Sequence, residues 1–394
     1  MGRPKFSVVI PYKQRLDNIR LVFAALAEQT MDRSEFEVVV GALEYSREYV
    51  ATCQEFMDRL DIVTVMSDEK WNLSRARNLA IRQATGQVYV FLDADMVLPP
   101  NCLRNLYDRH YAHGQSICVV GQMIGYDEVV DSQVDAVEAL PFSHYREALA
   151  ALDAGTTDVL DERWSPAYAS AIARFPWVFA RGGFLALSAA TLHRHELLFD
   201  EGFDGWGPED QEWGFRVAST GTPIVLREDV VGLHLPHARD LSANGATAHV
   251  NNRYYLDKWP RLDLELALVF GWLETDRIYP DVARELAGAA GGEGRALGVV
   301  RGTINGRTGL VVGAVTEGGA LLPSPETDAL FDPRAPLDVV PLAGFALPYG
   351  DKSVEECRVL PTVTALSERY REAVLREAER VAHKVLTPAG GERG

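Results

Sequence analysis

The sequence predicts an α/β protein: a mainly parallel central sheet flanked by helices, followed by a small C-terminal α/β unit. Two observations carry this. Strand and helix signals alternate through the first third of the chain, at the spacing of strand–helix–strand units. The fourth strand signal then runs straight into acidic residues, and open sheets of this kind place their ligands at such strand ends. A third observation, a Gly/Ala-rich run at 287–296, sets off the C-terminal unit.

The elements follow in order. FSVVI (6–10) is a short β-branched run with the character of a buried strand. LDNIRLVFAALAEQ (16–29) spaces its apolar residues as a helix does, with Asp17 as a candidate cap. FEVVVG (36–41) is a second strand, followed by a helix to about residue 60. DIVTVM (61–66) is the third strand, SRARNLAIRQA (74–84) a helix that Gly86 ends, and VYVFLDADM (88–96) the fourth strand. Residues 127–164 are acidic, helical in spacing and poor in motifs. Residues 179–217 hold FARGGFLALS and GWGPEDQEWG, and TPIVLREDVVGLHLPH follows at 222–237. A helical stretch then leads to AGAAGGEGRA (287–296), the linker candidate. This reading divides the chain into a first domain (1–260), a helical segment with linker (261–296) and a small unit (297–394). No internal repeat is present.

Composition narrows the function. The chain has 394 residues, with 39 Lys and Arg against 56 Asp and Glu, a formal charge of −17. Nucleic-acid binding needs a basic surface, so it is excluded as a general function. An anionic ligand must meet a local basic patch or a metal. The four cysteines form no CxxC pair, which fits a reducing compartment. No apolar run reaches the length of a membrane span and the N-terminus has no signal-peptide pattern, so the expectation is a cytoplasmic protein without an integral membrane segment.

Several residue groups carry chemistry. FLDADM puts Asp93 and Asp95 at the end of an apolar strand, where paired carboxylates suit a divalent cation. HLPH offers His234 and His237. Asp95 with one or both histidines gives mixed oxygen and nitrogen ligation, which suits manganese better than calcium. IPYKQR follows the first strand, where Lys13 and Arg15 could face phosphates and the backbone of Pro11 and Tyr12 lines the pocket. WNLSRARN brings Arg75 and Arg77 to a helix start, a position that attracts phosphate. GWGPEDQEWG reads two ways. It is a turn and helix start with acids in the first turn, or an aromatic face beside carboxylates, as a sugar ring requires.

In this order, VVIPYKQR, WNLSRARNLA, FLDADMVLP, ARGGFLALS, FDGWGPEDQEWGFRV and GLHLPHARD resemble a nucleotide-sugar glycosyltransferase of the GT-A fold. The first half resembles the family 2 inverting enzymes. The second half is similar to the β-1,4-galactosyltransferase and chondroitin-polymerase group, where a WGxED segment follows a GG loop. The resemblance implies a metal-dependent transferase that moves a sugar from a nucleotide diphosphate sugar, UDP favoured, to a hydroxyl of a saccharide or small-molecule acceptor. It implies Asp95, His237 and His234 as ligands of Mn2+ or Mg2+. It implies Pro11, Tyr12, Arg15, Glu44, Arg77, Asp93 and Gly183 around the donor. Trp206, Glu209 and Trp213 would meet the acceptor, with Asp210 as catalytic base and Glu209 beside it. Inverting transfer needs one base and a stabilised leaving group, not the carboxylate pair of a hydrolase. Two departures stand out. The family's second strand ends in paired acids, whereas here it reads VVVGALEYS, leaving Glu44 as the acid for the nucleotide base. The middle glycine of WGGED is Pro208.

Beyond residue 297, LPYGDKSVEECRV and the REAERV…PAGG tail resemble part of a class I methyltransferase, with LVVGAVTEGG (310–319) as a distant version of its Gly-rich turn. About a hundred residues is short for that domain, so a degenerate unit with a packing or homodimer role is the expectation. An amphipathic helix over about 365–385 would supply a partner surface. Two other functions stay open at this stage: a catalytically silent nucleotide-sugar scaffold, and a methyltransferase acting through the C-terminal unit.

Overall fold

A computed structural model describes residues 2–125, 130–131, 140–156, 161–333, 335–388 and 392–393. Much of the acidic stretch 127–164 and most of the PAGG tail lie outside these. The chain forms two compact units, Met1–Asn251 and Asn252–Gly394.

The first unit begins β1 (Phe6–Tyr12), α1 (Leu16–Ala27), β2 (Phe36–Ala42), α2 (Arg47–Phe56), β3 (Ile62–Met66), α3 (Leu73–Ile81) and β4 (Val88–Leu92). It continues β5 (Met96–Val97), α4 (Cys102–His110), β6 (Cys118–Ile124), β7 (Val130–Asp131), α5 (Phe142–Asp153), α6 (Ala169–Arg174) and β8 (Phe184–Ser188). Next come α7 (Ala189–Arg194), α8 (Glu209–Ser219), β9 (Ile224–His234), β10 (Ala238–Arg239) and α9 (Leu241–Lys258), which spans the unit boundary. The sheet order is β3-β2-β1-β4-β8-β6-β9-β5. Strands β1 to β4 are mutually parallel, as the strand–helix alternation requires. Strand β8 runs against both β4 and β6, so the sheet is mixed, the GT-A arrangement expected from the motifs.

Alternation along the strands builds two cores. Phe6, Val8 and Ile10 of β1 face α1, α2 and α4 with Phe23, Tyr49 and Leu106. Val9 faces the opposite side, with Tyr89 and Phe91 of β4, Ile81 of α3 and Trp213 of α8. Helices start where side chains satisfy the free N–H groups: Ser46 accepts from Tyr49 N at α2, and Asn72 from Arg75 N at α3.

The fourth strand is shorter than the sequence suggests. It stops at Leu92, and the chain turns through Asp93 to Asp95 before Met96–Val97 pairs antiparallel with β9. The cause is the loss of apolar residues: two carboxylates cannot enter the sheet interior, so they mark a corner.

The second unit holds α10 (Leu262–Phe270), α11 (Trp272–Ala289), β11 (Arg295–Ile304), β12 (Arg307–Glu317), β13 (Ala320–Leu321), α12 (Pro325–Asp328) and β14 (Asp338–Val340). It ends with β15 (Val354–Val359), α13 (Pro361–Thr364), α14 (Glu368–Val381), β16 (Ala382–Leu386) and β17 (Glu392–Arg393). The Gly/Ala run lies inside this unit, as the end of α11 and a turn with Gly291, Gly292 and Gly294 at positive φ. Asn305 (φ 50°) and Gly306 (φ 75°) make the tight turn between β11 and β12. Gly318 and Gly319 close a second hairpin, into β13. They do not open a helix, so the strand-to-helix turn expected for a methyltransferase cofactor is not formed there. The last helix is also shorter than predicted, because residues 382–386 join the sheet as β16, parallel to β15. Among the described residues no helix is long and apolar enough to cross a membrane.

Candidate active site

The carboxyl ends of β1 and β4 border a cavity of about 480 Å³. Pro11, Lys13, Gln14 and Arg15 come from the loop after β1, Trp71 and Leu73 from the start of α3, and Asp93 to Asp95 from the corner after β4. Trp206, His234 and His237 close another side, and Asp240, Asn244 and Thr247 line it from the start of α9.

Strand pairing assembles the first cluster. Met96 pairs with His234 across β5 and β9, and Leu235 N donates to Asp95 O at 2.7 Å. This brings residues about 140 positions apart to one point. His237 Nδ1 lies 3.2 Å from Asp95 Oδ2, and His234 Nε2 lies 3.7 Å from Asp95 Oδ1. One ligand atom from each of Asp95, His234 and His237 lies within 4.8 Å of the others. Asp95 is 1% exposed. Its Oδ1 is buried with no hydrogen-bond partner among the described residues, and the Arg15 guanidinium contacts Oδ2. An isolated buried carboxylate oxygen is costly, and a cation would satisfy it. The donor set, one oxygen and two imidazoles, fits Mn2+ or a similar divalent ion.

Arg77 organises the second cluster. It is 1% exposed. Its Nη2 donates to Asp93 Oδ1 and its Nη1 to Glu209 Oε1, both at 3.0 Å. Burial works against its charge, but Asp93, Glu209 and Asp210 outweigh that and raise its pKa. The two glycines of the RGGF loop make room. A Cβ on Gly182 would fall 2.3 Å from Arg77 Nη2, and one on Gly183 would meet Met123 and then Asp93 Oδ2 at 3.2 Å.

The acids of GWGPEDQEWG all lie in the first turn of α8, where the helix dipole favours them. They differ in partner. Glu209 pairs with Arg77. Asp210 Oδ2 accepts from Gly182 N at 3.1 Å and Oδ1 from Gln211 N at 2.8 Å. Glu212, fully buried, pairs with Arg216 one turn on. Burial, and then Asp210, push the Glu209 carboxyl up to about 7. Burial also raises Asp210, against the pull of Arg77 and the Gly182 and Gln211 N–H groups.

The preceding loop is braced from α9. Thr247 Oγ1 accepts from Trp206 N at 3.2 Å, and Asn251 Nδ2 donates to the carbonyls of Asp204, Trp206 and Gly207. Gly205 and Gly207 take positive φ, which leaves Trp206 47% exposed at the cavity rim.

Several of the expected side chains are engaged within the protein. Trp213 does not reach an acceptor: it is fully buried, stacked on Phe199 at 5.1 Å, with Nε1 donating to Leu197 O at 2.8 Å. The Tyr12 ring is likewise buried, stacked on Tyr49 at 4.3 Å, so only its backbone is at the loop. Glu44 Oε1 accepts from Gln14 N and braces the loop carrying Arg15. Arg77 lies behind the cavity wall on Asp93 and Glu209, while Arg75, expected beside it as a phosphate contact, pairs with Glu201 at 2.9 Å. The sequence reading missed Asp240, Asn244, Thr247 and Asn251. Their spacing of four, three and four residues is one face of a helix, a signal present in the sequence.

Residues 7–156 match the family model for glycosyl transferase family 2. The chain is 25% identical over 414 residues to the validoxylamine A glucosyltransferase of Streptomyces hygroscopicus subsp. jinggangensis, covering 98% of this chain and 97% of the relative. It is 26% identical over 240 residues to the chondroitin synthase of Escherichia coli, covering 58% of this chain and 34% of the relative. A solved mannosyltransferase from Pyrobaculum calidifontis, in complex with GDP-Man and Mn2+, aligns with TM-score 0.44 and 19% identity, over 74% of this chain and 77% of that one. The glucosyltransferase match runs across both compact units. The first unit carries a glycosyl transferase family 2 domain, and the chain is a glycosyltransferase.

Proposed function

We propose that the chain transfers a sugar from a nucleotide diphosphate sugar, UDP favoured, to a hydroxyl of a small polyhydroxylated acceptor, with inversion and with Asp210 as base. The observation that carries this reading is the buried Asp95–His234–His237 cluster on the same cavity as Asp93 and Trp206. Asp95, His234 and His237 would hold Mn2+ or Mg2+, which supplies charge neutralisation for a departing diphosphate. Lys13 and Arg15 add positive charge at that end of the cavity. Trp206 offers an exposed ring on which a sugar face would stack. Asp210, held by two backbone N–H groups in the first turn of α8, would take the acceptor proton, and burial gives it more basicity than a surface aspartate. The full-length similarity to a glucosyltransferase named for validoxylamine A supports glucose as the sugar and a small molecule, not a polymer end, as the acceptor.

The test is turnover with UDP-, GDP- and dTDP-sugars, with and without Mn2+, reading the anomeric configuration of the product. Asp210→Asn should keep the donor-induced rise in melting temperature and lose at least about 100-fold in kcat. Wild-type turnover by that variant would assign the base elsewhere. A product with retained configuration would overturn the inverting mechanism.

A further inference from the structure

We propose that Arg77 is a positioning residue for the transfer step and not a ligand of the donor phosphates. The proposal rests on the reading of Asp210 as the base. Three features of the structure carry it. First, the side chain is 2% exposed and forms no part of the cavity wall. Second, each terminal nitrogen already donates to a carboxylate, Nη2 to Asp93 and Nη1 to Glu209, and Nε is buried. Asp93 lines the cavity and Arg77 does not, so a phosphate bound there meets the Asp93 carboxylate ahead of the guanidinium. Third, the surroundings are shaped to the planar group: Gly182 lacks the Cβ that would clash with Nη2, and the Phe199 ring lies 5.0 Å from Cζ.

One guanidinium therefore fixes two elements. It holds Asp93, at the end of β4, and Glu209, the first residue of α8. Asp210 is next in α8 and is anchored in turn to Gly182 N, on the loop that packs against Arg77. The orientation of the base is thus set by a fork that reaches the carboxyl end of β4 and the start of α8 together. A lysine carries the same charge but no planar fork, so it cannot meet both carboxylates in this geometry.

The experiment compares full-length wild type with Arg77→Lys, measuring kcat, KM and calorimetric Kd for the donor with Mn2+. The expected result is a fall in kcat of about 30–100-fold, the size of effect a small misplacement of reacting groups produces. Donor Kd should stay within about threefold. A donor Kd weakened tenfold or more with kcat unchanged at saturation would make Arg77 a phosphate ligand and overturn the proposal. Unchanged kcat and Kd would also overturn it, leaving a structural role alone. If Arg77→Lys does not fold, Glu209→Leu removes one arm of the fork and leaves Asp93 paired. It should lower kcat about tenfold at unchanged donor Kd, and wild-type kcat in that variant would refute the idea. Absence of turnover in the wild type itself would overturn the transfer reading, and this proposal with it. A normal wild type with an unaffected Arg77→Lys overturns the role of Arg77 alone.

Discussion

Trp206 and Trp213 share one motif, yet the structure gives them opposite environments, and Trp213→Phe tests this. The indole is fully buried between Phe199 and Phe91, with its N–H on the Leu197 carbonyl. Phenylalanine keeps a ring but removes part of the apolar contact, roughly 40–60 Å², or about 1–1.5 kcal/mol at ~25 cal/mol per Å². It also leaves the Leu197 carbonyl without its donor, which costs about 1–3 kcal/mol for a buried group. The total is about 2–4 kcal/mol. For a cooperative unit the size of Met1–Asn251, each kcal/mol moves the melting temperature by about 2 °C, so a fall of roughly 4–8 °C is expected. The assay is thermal unfolding followed by Trp fluorescence, with acceptor KM measured at 25 °C. Acceptor KM should stay within about twofold, since the ring lies in the core and contributes to stability, not to uniform substrate binding. A variant that melts within about 1 °C of wild type and shows a tenfold higher acceptor KM would refute the buried placement.

Asp95→Asn keeps the side-chain volume but removes the charge, so it should abolish the Mn2+-dependent stabilisation by nucleotide diphosphate. In wild type that stabilisation amounts to about 2.7 kcal/mol at a hundredfold excess over Kd, and an equal thermal shift in the variant would remove Asp95 from the ion site. Burial, and then Asp210, raise the Glu209 carboxyl from its ordinary 4.5 to about 7 in the folded protein. The fold therefore binds an extra proton in that window. The stability due to this group is fully present below pH 4.5 and is lost as pH rises through 7. Glu209→Gln should flatten that part of the urea-midpoint profile, and parallel profiles for the two proteins would count against it. Glu265 Oε1 accepts from Gly344 and Phe345 N, and Oε2 from Ala343 N. Glu265→Gln points an N–H at an N–H and should cost about 2–3 kcal/mol in urea unfolding. Loss of amide protection at 343–345 would accompany it, and unchanged exchange there would refute the bracing role.

Much of the fold was legible because its signals are local. The apolar runs of β1, β2 and β4 end where polar residues begin, which located Asp93 and Asp95 at strand ends before any pairing was known. The Asn305–Gly306 turn was equally legible, although the sequence reading passed over it. The Asp95–His234 register was not legible: it depends on β5 pairing with β9, a contact between segments about 140 residues apart that no local pattern encodes. The direction of individual side chains falls between these cases. Arg75 and Arg77 lie two positions apart on α3, about 200° around the helix. Arg77 shares its buried face with Ser74 and Ile81, where it meets its acidic partners; with polar Ser74 and Asn78 also buried on this helix, apolar periodicity did not mark that face. Trp213 stands one turn from Val217 on the buried face of α8, whereas Trp206 precedes the helix in a loop with two glycines. Reading both tryptophans as one sugar platform followed motif membership where helical phase was the stronger guide. The same phase picks out Asp240, Asn244, Thr247 and Asn251 as one stripe. In this chain a motif names the chemistry a segment takes part in, and the 3.6-residue period decides which of its residues reach the substrate.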